Sequence, residues 1–389
     1  MTAVATTDPV FDRGAAPPLA LGILSTYPPT ACGLATFSSA LARGMSANGA
    51  HVRVVRVADG AASNDARVVG ELVNGSASSV AAAADLLNEC DVAVIQHEYG
   101  LYGGADGDEV LEILDALRVP SIVIAHTVLC NPTPHQEAVL VEVAERADHL
   151  VVMSRAARDR LLRRFQVDPD KVGTIPHGAA VPPERSAGRV TGPPTLLTWG
   201  LVGPGKGIER VIDAMPLLHT LPSRPRYVVA GRTHPKVLAA HGEAYRDARI
   251  EQAERNGVAA SVVFDSEYRD VPTLTAMIQA AAVVVLPYDS REQATSGVLV
   301  DAIAAGRPVV ATAFPHAVEL LATGAGIVVD HDDADALTVA LHRIVTDGAL
   351  ASNMAAEARR IAPTLGWPVV AAQYLDVAAR LVAERPALV

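Results

Sequence analysis

The stretch PYDSREQATSGVLVDAIAAGRP, residues 287–308, decides the fold. A Val-rich apolar run precedes it and another follows it, and runs of this kind predict buried strands. Between them the pattern predicts a loop of small, polar and charged residues, and then a helix over 298–305 that Ser296 or Gly297 opens. This unit places its loop at the carboxyl end of a parallel strand. Ligands of open α/β sheets bind at that end, where a helix N-terminus also favours anions.

A glycine-rich loop with a single lysine follows an earlier predicted strand. The strand is predicted at 195–199, and the loop GLVGPGKG follows it at 200–207. Backbone N–H groups of such a loop can cradle a diphosphate, and Lys206 adds a compact positive charge. It is not a Walker loop, because no Ser or Thr follows the lysine to bind magnesium. The sequence therefore predicts an anion site that includes Gly203, Gly205 and Lys206.

Arg232 comes just after the next predicted strand, at 226–230. Neighbouring strand ends of such a sheet face one crevice, so Arg232 is predicted to reach the same diphosphate. A surface ion pair is the alternative role for this side chain.

Polar residues follow the predicted strands of the first half of the chain in the same way. The first strand runs into a loop that ends at Gly33, which fits the opening of a nucleotide- or sugar-binding half, with a plain turn as the alternative. His97, Glu98 and Tyr99 follow a later strand, and His126 follows the next one. We predict that these residues converge on the acceptor side of one cleft. The alternatives are that His97 and Glu98 cap the following element and that His126 is structural.

Composition divides the chain into two halves joined by a linker. Residues 181–194 hold four prolines, two glycines and few large apolar residues. The predicted limits are a disordered tail at 1–17, a Rossmann-like domain at 18–180, the linker at 181–194, a second Rossmann-like domain at 195–366 and a terminal helix at 367–389.

Bulk properties exclude several classes of protein. The 389 residues suffice for two domains, and a net charge of -11 argues against a general nucleic-acid binder. Cys32, Cys90 and Cys130 lie far apart, which fits reduced thiols in the cytoplasm. No apolar run reaches the ~20 residues that span a bilayer, and residues 1–17 lack the pattern of a signal peptide. We expect a cytoplasmic protein; peripheral membrane contact and homo-oligomerisation stay open.

Residues 199–207 and 287–312 resemble the donor-binding motifs of retaining glycosyltransferases of family 4, the glycosyl transferases group 1. The order glycine, loop, lysine, glycine, helix is similar to that family's diphosphate motif, and the resemblance covers nearly the whole chain. It implies the GT-B fold, in which two Rossmann-like parallel-sheet domains face a central cleft and a C-terminal helix crosses back onto the first domain. The first domain would face the acceptor, and the second would bind the nucleotide-sugar donor.

The same resemblance implies roles for single residues. The family's carboxylate segment has two acidic residues separated by seven positions; these positions are Gln293 and Asp301 here, so one charge is lost. Asp301 would hold the nucleotide ribose, and Gln293 would hydrogen-bond the donor sugar. Glu292 would substitute for Gln293 only if the loop shifts. His126 would line the reaction centre near the donor sugar.

Other positions follow from the family in the same way. Gly33 would lie on the acceptor side, and a loop that contains Tyr268 would meet the nucleotide base. Leu201 stands where the family often has an arginine, so one charge on the diphosphate is missing unless Arg232 or Arg291 replaces it.

The activity that the resemblance implies is metal-independent hexosyl transfer, with retention, from GDP-mannose or a UDP-sugar to a hydroxyl acceptor. The leaving diphosphate would be stabilised by Lys206, Arg232, the loop amides and the helix N-terminus at Ser296 and Gly297. No protein nucleophile is clear, and the leaving phosphate would deprotonate the acceptor. No metal or other cofactor is expected, because the predicted strands are interpreted as having no Asp-x-Asp pair in the loops that follow them.

Two alternatives stay open. One is another GT-B enzyme, an epimerase or a phosphorylase; an epimerase needs acid/base carboxylates, for which Glu98 is the candidate. The other is a non-catalytic sugar-nucleotide or polysaccharide binding protein, which the changes at Gln293 and Leu201 motivate.

Overall fold

The computed structural model describes residues 18–183, 192–267 and 269–385. The predicted tail at 1–17, most of the predicted linker and Tyr268 lie outside the described residues. Within them, strands and helices alternate along the chain and build two parallel sheets flanked by helices. The predicted α/β class is therefore confirmed.

The strands of the first half share one parallel sheet. Over the described residues they are β1 (Ala20–Ser25), β2 (His51–Val57), β3 (Val68–Leu72), β4 (Val92–His97), β5 (Ser121–Ala125), β6 (His149–Val152) and β7 (Val172–Thr174). Their order across the sheet is β3-β2-β1-β4-β5-β6-β7. Most are near-continuous runs of Val, Ile and Leu, because helices cover both faces of such a sheet. The order reverses between β1 and β4, so the loops after these strands border the crevice where open sheets bind ligands.

The second half repeats this design. Its strands in the described part of the chain are β8 (Thr195–Trp199), β9 (Arg226–Ala230), β10 (Val262–Asp265), β11 (Val283–Leu286), β12 (Val309–Thr312) and β13 (Gly326–Val329). Their order is β10-β9-β8-β11-β12-β13. The order reverses between β8 and β11. The glycine loop follows β8 and the loop of residues 287–296 follows β11, so both border the reversal.

Helices connect the strands, and several begin at a Ser, Thr or Asp that accepts an N–H of the first turn. In the first half they are α1 (Gly33–Ala47), α2 (Ala77–Leu87), α3 (Glu109–Ala116), α4 (Pro134–Arg146) and α5 (Arg155–Arg164). In the second half they are α6 (Ile208–His219), α7 (Pro235–His241), α8 (Ala244–Arg255), α9 (Val271–Ala280), α10 (Gly297–Ala304), α11 (Pro315–Leu321), α12 (Ala334–Thr346), α13 (Gly348–Ile361) and α14 (Trp367–Glu384).

The C-terminal helix α14 crosses back onto the first half, as predicted. Its buried residues belong to the core that covers one face of the first sheet: Val370, Ala371, Tyr374 and Ala378. Helix α1 passes α14 at Gly44, where a Cβ atom would lie 2.8 Å from the backbone oxygen of Trp367. A glycine is therefore needed at position 44 for the two helices to approach this closely.

Residues that follow strands of the first sheet contact residues that follow strands of the second. Ser154, after β6, donates a hydrogen bond to the backbone oxygen of Ala294, after β11. Arg155 pairs with Glu319, which lies in α11 after β12. The carboxyl ends of the two sheets therefore border one cleft.

Candidate active site

The glycine loop of residues 200–207 packs against the chain that leaves β11. Gly207 has a φ of 64°, and a Cβ atom there would lie 1.8 Å from the backbone oxygen of Pro287. The N–H of Asp289 donates to the oxygen of Gly205 at 3.0 Å. These contacts fix the loop at the strand reversal of the second sheet, which is where the sequence predicts an anion site.

Lys206 is the positive charge of this loop. Its Nζ lies 4.4 Å from the centroid of the Tyr288 ring, which stacks on Phe314. The described residues give Lys206 no carboxylate partner at ion-pair distance, and burial lowers the pKa of its ammonium group. A half-buried cation without a counter-ion is suited to an anionic ligand, because such a ligand replaces the water that the charge has lost.

The other residues predicted to bind the diphosphate have differing surroundings. Gly203 is buried and its carbonyl accepts from the N–H of Lys206 at 3.3 Å, while Gly205 has a φ of 88° and open space beside it. The side chain of Arg232 is exposed at the end of β9. Arg291 forms an ion pair with Asp332, so its charge is already balanced.

The start of α10 is shaped by Ser296. Its Oγ accepts from the N–H of Leu299 at 3.3 Å, and its own N–H donates to Nδ1 of His316 at 2.8 Å. These two bonds hold Ser296 at the start of the helix, while the hydroxyl proton is used by neither of them. The predicted contact of Ser296 with a ligand stays a prediction. The N–H groups of Gly297 and its successor belong to the first helical turn, where a helix makes no internal bond.

Gly297 faces the first half of the chain. A Cβ atom on Gly297 would lie 2.9 Å from Nε2 of His177, so glycine permits this approach. Nδ1 of His177 lies 2.7 Å from the oxygen of Gly178 and donates to it, which leaves Nε2 as an acceptor. Burial lowers the pKa of His177 to about 4, so the ring is neutral at the cleft.

The carboxylate segment has a neutral side chain at one of its two positions and a carboxyl group that resists ionisation at the other. Nε2 of Gln293 donates to the oxygen of Thr295 at 3.1 Å within its own loop. Burial raises the pKa of Asp301 to about 7. Glu292 lies 3.3 Å from Nδ2 of Asn131 in the first half, so its carboxylate spans the cleft and does not take the place of Gln293.

His126 lies on the first-half side of the cleft. Its Nε2 is 2.6 Å from Oε1 of Gln96, and its ring meets Phe37 edge to face at 4.8 Å. Burial, helped by His177 and His97, lowers the pKa of His126 to about 3. A neutral ring that donates through Nε2 keeps Nδ1 as an acceptor, which is the form that could meet a sugar hydroxyl.

His97 does not lie at the surface of the cleft. β4 extends through it, its side chain is buried, and neither ring nitrogen has a hydrogen-bond partner among the described residues. Burial lowers its pKa to about 4. β4 ends two residues later than the apolar run at 92–95 indicates, which buries His97 in the sheet. The predicted contact of His97 with an acceptor stays a prediction that this burial does not favour.

The remaining acceptor-side residues form a polar rim. Glu98 accepts from Oγ1 of Thr127 at 2.5 Å, a bond that joins the residues after β4 and β5. The ring of Tyr99 meets that of His97 edge to face at 5.3 Å. Gly33 is the first residue of α1 and has open space beside it.

The sequence analysis did not select two residues that line the candidate site, His177 and His316. His177 follows β7 and contacts Gly297 across the cleft; His316 lies in α11 and accepts from the N–H of Ser296. Burial lowers the pKa of His316 to about 4. Both follow strands of their sheets, so the rule that selected His126 would have selected them as well.

An Asp-x-Asp pair was also missed, since Asp330 and Asp332 directly follow β13. Asp332 pairs with Arg291, and Oδ1 of Asp330 accepts from the N–H of Asp332 at 2.9 Å. Over residues 18–183, 192–267 and 269–385, no group of three or more His, Cys, Asp or Glu side chains is arranged to hold a metal ion. None of the helices described is both long and apolar enough to cross a membrane.

Two parallel sheets that face one cleft, with a glycine loop and a lysine at the strand reversal of the second, define the GT-B class of α/β proteins. Solved structures share this fold. HepE from Anabaena, solved with UDP and glucose, gives a TM-score of 0.74 at 17% identity over 93% of this chain and 100% of that one. Sucrose-phosphate synthase from Thermosynechococcus elongatus gives 0.71 at 18% identity over 94% of this chain and 100% of that one.

Sequence comparison gives the family. The family described as "Glycosyltransferase Family 4" matches residues 31–181, and "Glycosyl transferases group 1" matches residues 193–347. The chain belongs to this glycosyltransferase family, as the sequence motifs predict.

Curated relatives match part of the chain at 26–32% identity over the aligned residues. A D-inositol 3-phosphate glycosyltransferase from Corynebacterium glutamicum is 28% identical over 67% of this chain and 66% of its own length. A phosphatidyl-myo-inositol mannosyltransferase from Mycolicibacterium smegmatis is 32% identical over 68% of this chain and 66% of its own. The chain therefore spans just under two thirds of the length of these relatives.

Proposed function

We propose that this protein transfers a hexosyl group from a nucleotide-diphosphate sugar to a hydroxyl acceptor. The observation that carries the proposal is Lys206, a half-buried cation without a described carboxylate partner at the strand reversal of the second sheet. Its loop and the start of α10 border the same cleft, and both offer backbone N–H groups to an anion. A nucleoside diphosphate is the ligand class whose charge and length suit that arrangement.

The chemistry assigned to the cleft is displacement of the diphosphate with retention. The bond between the sugar C1 and the phosphate oxygen breaks, the acceptor oxygen bonds to C1 on the same face, and its proton passes to the leaving phosphate. Lys206 and the helix dipole of α10 stabilise the charge that develops on the diphosphate, and each well-placed donor contributes roughly 3 kcal/mol. We propose that no metal takes part, with these groups supplying the positive potential.

The donor contacts follow the family pattern with one change. Asp301 is assigned to the ribose of the nucleotide and Gln293 to the donor sugar. Gln293 is neutral, so its hydrogen bond to the sugar is weaker than that of a carboxylate. His126 lies on the opposite side of the cleft and is assigned to the sugar face near the reacting carbon.

The acceptor class to test first is an inositol phosphate. Two kinds of relative carry inositol in their names, one as D-inositol 3-phosphate and one as phosphatidyl-myo-inositol. GDP-mannose and UDP-sugars are the donors to test first. These acceptor and donor proposals are inferred from the names of relatives that are 28% and 32% identical to the chain over the aligned residues.

The decisive experiment incubates the protein with UDP-, GDP- and ADP-sugars, with and without D-inositol 3-phosphate. We then measure the release of nucleoside diphosphate and the anomeric configuration of the product, in the presence and absence of EDTA. We expect slow hydrolysis of one donor and faster release with an acceptor. An inverted product would end the retaining assignment, and a complete loss of activity in EDTA would end the metal-independent one.

A non-catalytic sugar-nucleotide binding protein is the second candidate. One observation favours it: the Gln293 side chain is neutral and is bonded to Thr295 within its own loop. Tight nucleotide binding without turnover of any donor would support this alternative. The epimerase alternative is weaker, because the carboxylate of Glu98 already accepts a hydrogen bond from Thr127.

A further inference from the structure

Helix α5 of the first half begins against the second half of the chain. Oγ of Ser154 accepts from the N–H of Ala157 at 2.9 Å and donates to the oxygen of Ala294 at 2.5 Å. Ser154 and Ala294 are both buried. One hydroxyl therefore caps α5 and also holds the loop that contains Gln293.

Glu319 of the second half satisfies the next N–H groups of the same helix. Its carboxylate accepts from the N–H of Arg155 at 3.1 Å and from that of Ala156 at 2.9 Å. It also meets Nε of Arg155 at 3.3 Å. The first turn of a helix needs such external acceptors, and here the opposite side of the cleft supplies one of them.

The element that carries Glu319 also holds the loop of Gln293. In α11 the N–H of His316 donates to the oxygen of Gln293 at 3.3 Å, and Nδ1 of His316 accepts from Ser296. The loop of residues 293–296 is thus fixed from α11 and, through Ala294, from α5. Separating the two halves would break the bonds from Ser154 and to Glu319 together.

We propose that Ser154 and Glu319 form a latch between the two halves, and that this latch positions Gln293 for the donor sugar. They are positioning residues, since neither is assigned to the substrate. The groups proposed to bind the nucleotide, which are the glycine loop with Lys206, the start of α10 and Asp301, all belong to the second half. Loss of the latch is therefore expected to affect the donor sugar more than the nucleotide. The positioning of the sugar rests on the proposed function, while the latch itself does not.

Three variants test the latch. Glu319→Gln keeps an acceptor oxygen but loses the charge that faces the helix N-terminus. Ser154→Asp keeps an N-cap acceptor but loses the hydroxyl proton that bonds Ala294. Ser154→Thr keeps both functions. The matched control is Glu357→Gln in α13, because the Glu357 side chain is also 22% exposed and also pairs with an arginine, Arg360 of its own helix.

The first measurement is amide hydrogen exchange at Arg155 and Ala156, with and without saturating UDP or GDP. We expect at least tenfold faster exchange at these amides in Glu319→Gln and in Ser154→Asp, and no change in Ser154→Thr or in the control. Unchanged exchange in both latch variants would overturn the proposal. This readout needs no turnover, so it decides on the latch even if no donor is ever hydrolysed.

The second measurement separates positioning from binding. With a donor that the protein turns over, Glu319→Gln is expected to lower kcat about tenfold while the Kd for the nucleoside diphosphate stays within twofold, and Ser154→Thr is expected to keep kcat. A Kd that weakens as much as kcat falls, or a kcat equal to that of Glu357→Gln, would contradict the positioning role. Absence of turnover in the unaltered protein would instead contradict the proposed function and leave the hydrogen-exchange test of the latch intact.

Discussion

Among the residues proposed to bind the nucleotide, Lys206 is the one whose loss is expected to weaken binding most. A charge-assisted hydrogen bond contributes about 1.5–3 kcal/mol, and about 1.4 kcal/mol is tenfold in affinity. Lys206→Ala is therefore expected to weaken binding of UDP or GDP by about ten- to a hundredfold and to lower kcat by at least as much. Isothermal titration calorimetry and donor hydrolysis check this. Lys236→Ala, in the exposed start of α7, is the control, and near-normal binding in Lys206→Ala would remove this residue from the site.

Asp301 gives the site a pH dependence of known sign. Burial raises its pKa to about 7, far above its ordinary 3.8, so between these values the folded protein holds a proton that the unfolded chain has lost. This contribution to stability is present at low pH and is lost as the pH rises towards about 7. An ionised carboxylate accepts better from ribose hydroxyls, so nucleotide affinity should rise as the pH passes through the folded-state pKa of about 7.

Asp301→Asn tests both effects, because asparagine does not titrate. The variant is expected to bind nucleotide about tenfold more weakly above pH 8, to show a flat affinity between pH 6 and 8, and to unfold at the same or a higher temperature at pH 8. Titration calorimetry and thermal unfolding across that pH range check it. An affinity profile that keeps its rise in the variant would assign the titration to another group.

Part of the candidate site could be selected from the sequence, and part of it could not, for a physical reason. The rule on polar residues after buried strands selected His126, because strand ends of a parallel sheet share one edge. The glycine-rich loop selected Lys206, and the family resemblance selected Asp301. The rule on polar residues also selected His97, which the structure buries within β4, since a histidine can continue a strand without a hydrogen bond. Contacts made across the cleft, such as that of His177 with Gly297, could not be predicted, because they depend on how two sheets meet.

At the scale of elements, the strands with long apolar runs were predictable and the weakly patterned elements were not. β8 and β9 have the predicted limits, 195–199 and 226–230, since each has a Leu-rich or Val-rich run between turn residues. The edge strand β3 was missed because its sequence VVGEL contains a glycine and a charged residue and is half exposed. Helix α11 was missed because its seven residues, starting at a proline, are too short to show a helical period.

The contact between α1 and α14 makes a prediction about stability. Gly44→Ala would place a Cβ atom 2.8 Å from the oxygen of Trp367 and 2.9 Å from Cβ of Ala371. The obstacle is largely backbone, so overpacking should outweigh the helix preference for alanine and destabilise the fold by about 1–3 kcal/mol. Urea unfolding followed by circular dichroism measures this.

Gly348→Ala is the matched control for that substitution. Gly348 also lies in a helix, at the start of α13. A Cβ atom added to it would have no heavy atom of a non-neighbouring described residue within 4 Å. Gly348→Ala is therefore expected to change the free energy of unfolding by less than about 0.5 kcal/mol. A Gly44→Ala protein as stable as this control would mean that α14 can shift away from α1 without loss.

At the scale of the whole molecule, the chain is acidic and its proposed ligand is an anion. The net charge of -11 repels a nucleoside diphosphate at long range, so binding must come from the local field of the glycine loop, Lys206 and the start of α10. This separation of global and local charge is consistent with a small anionic ligand and not with a polyanion such as nucleic acid. It also means that ligand binding should be visible as a gain in the stability of the folded state.

A nucleoside diphosphate that binds only the folded protein stabilises it by mass action, by about 2.7 kcal/mol when its concentration is a hundred times Kd. We therefore expect UDP, GDP and ADP at millimolar concentration to raise the unfolding temperature to different extents, and the order of the shifts to give the base preference. The shift should be lost in Lys206→Ala and kept in Lys236→Ala, since both variants change the net charge equally and Lys236 is an exposed residue of α7, outside the glycine loop. Equal shifts in the two variants would mean that the nucleotide binds somewhere other than the glycine loop.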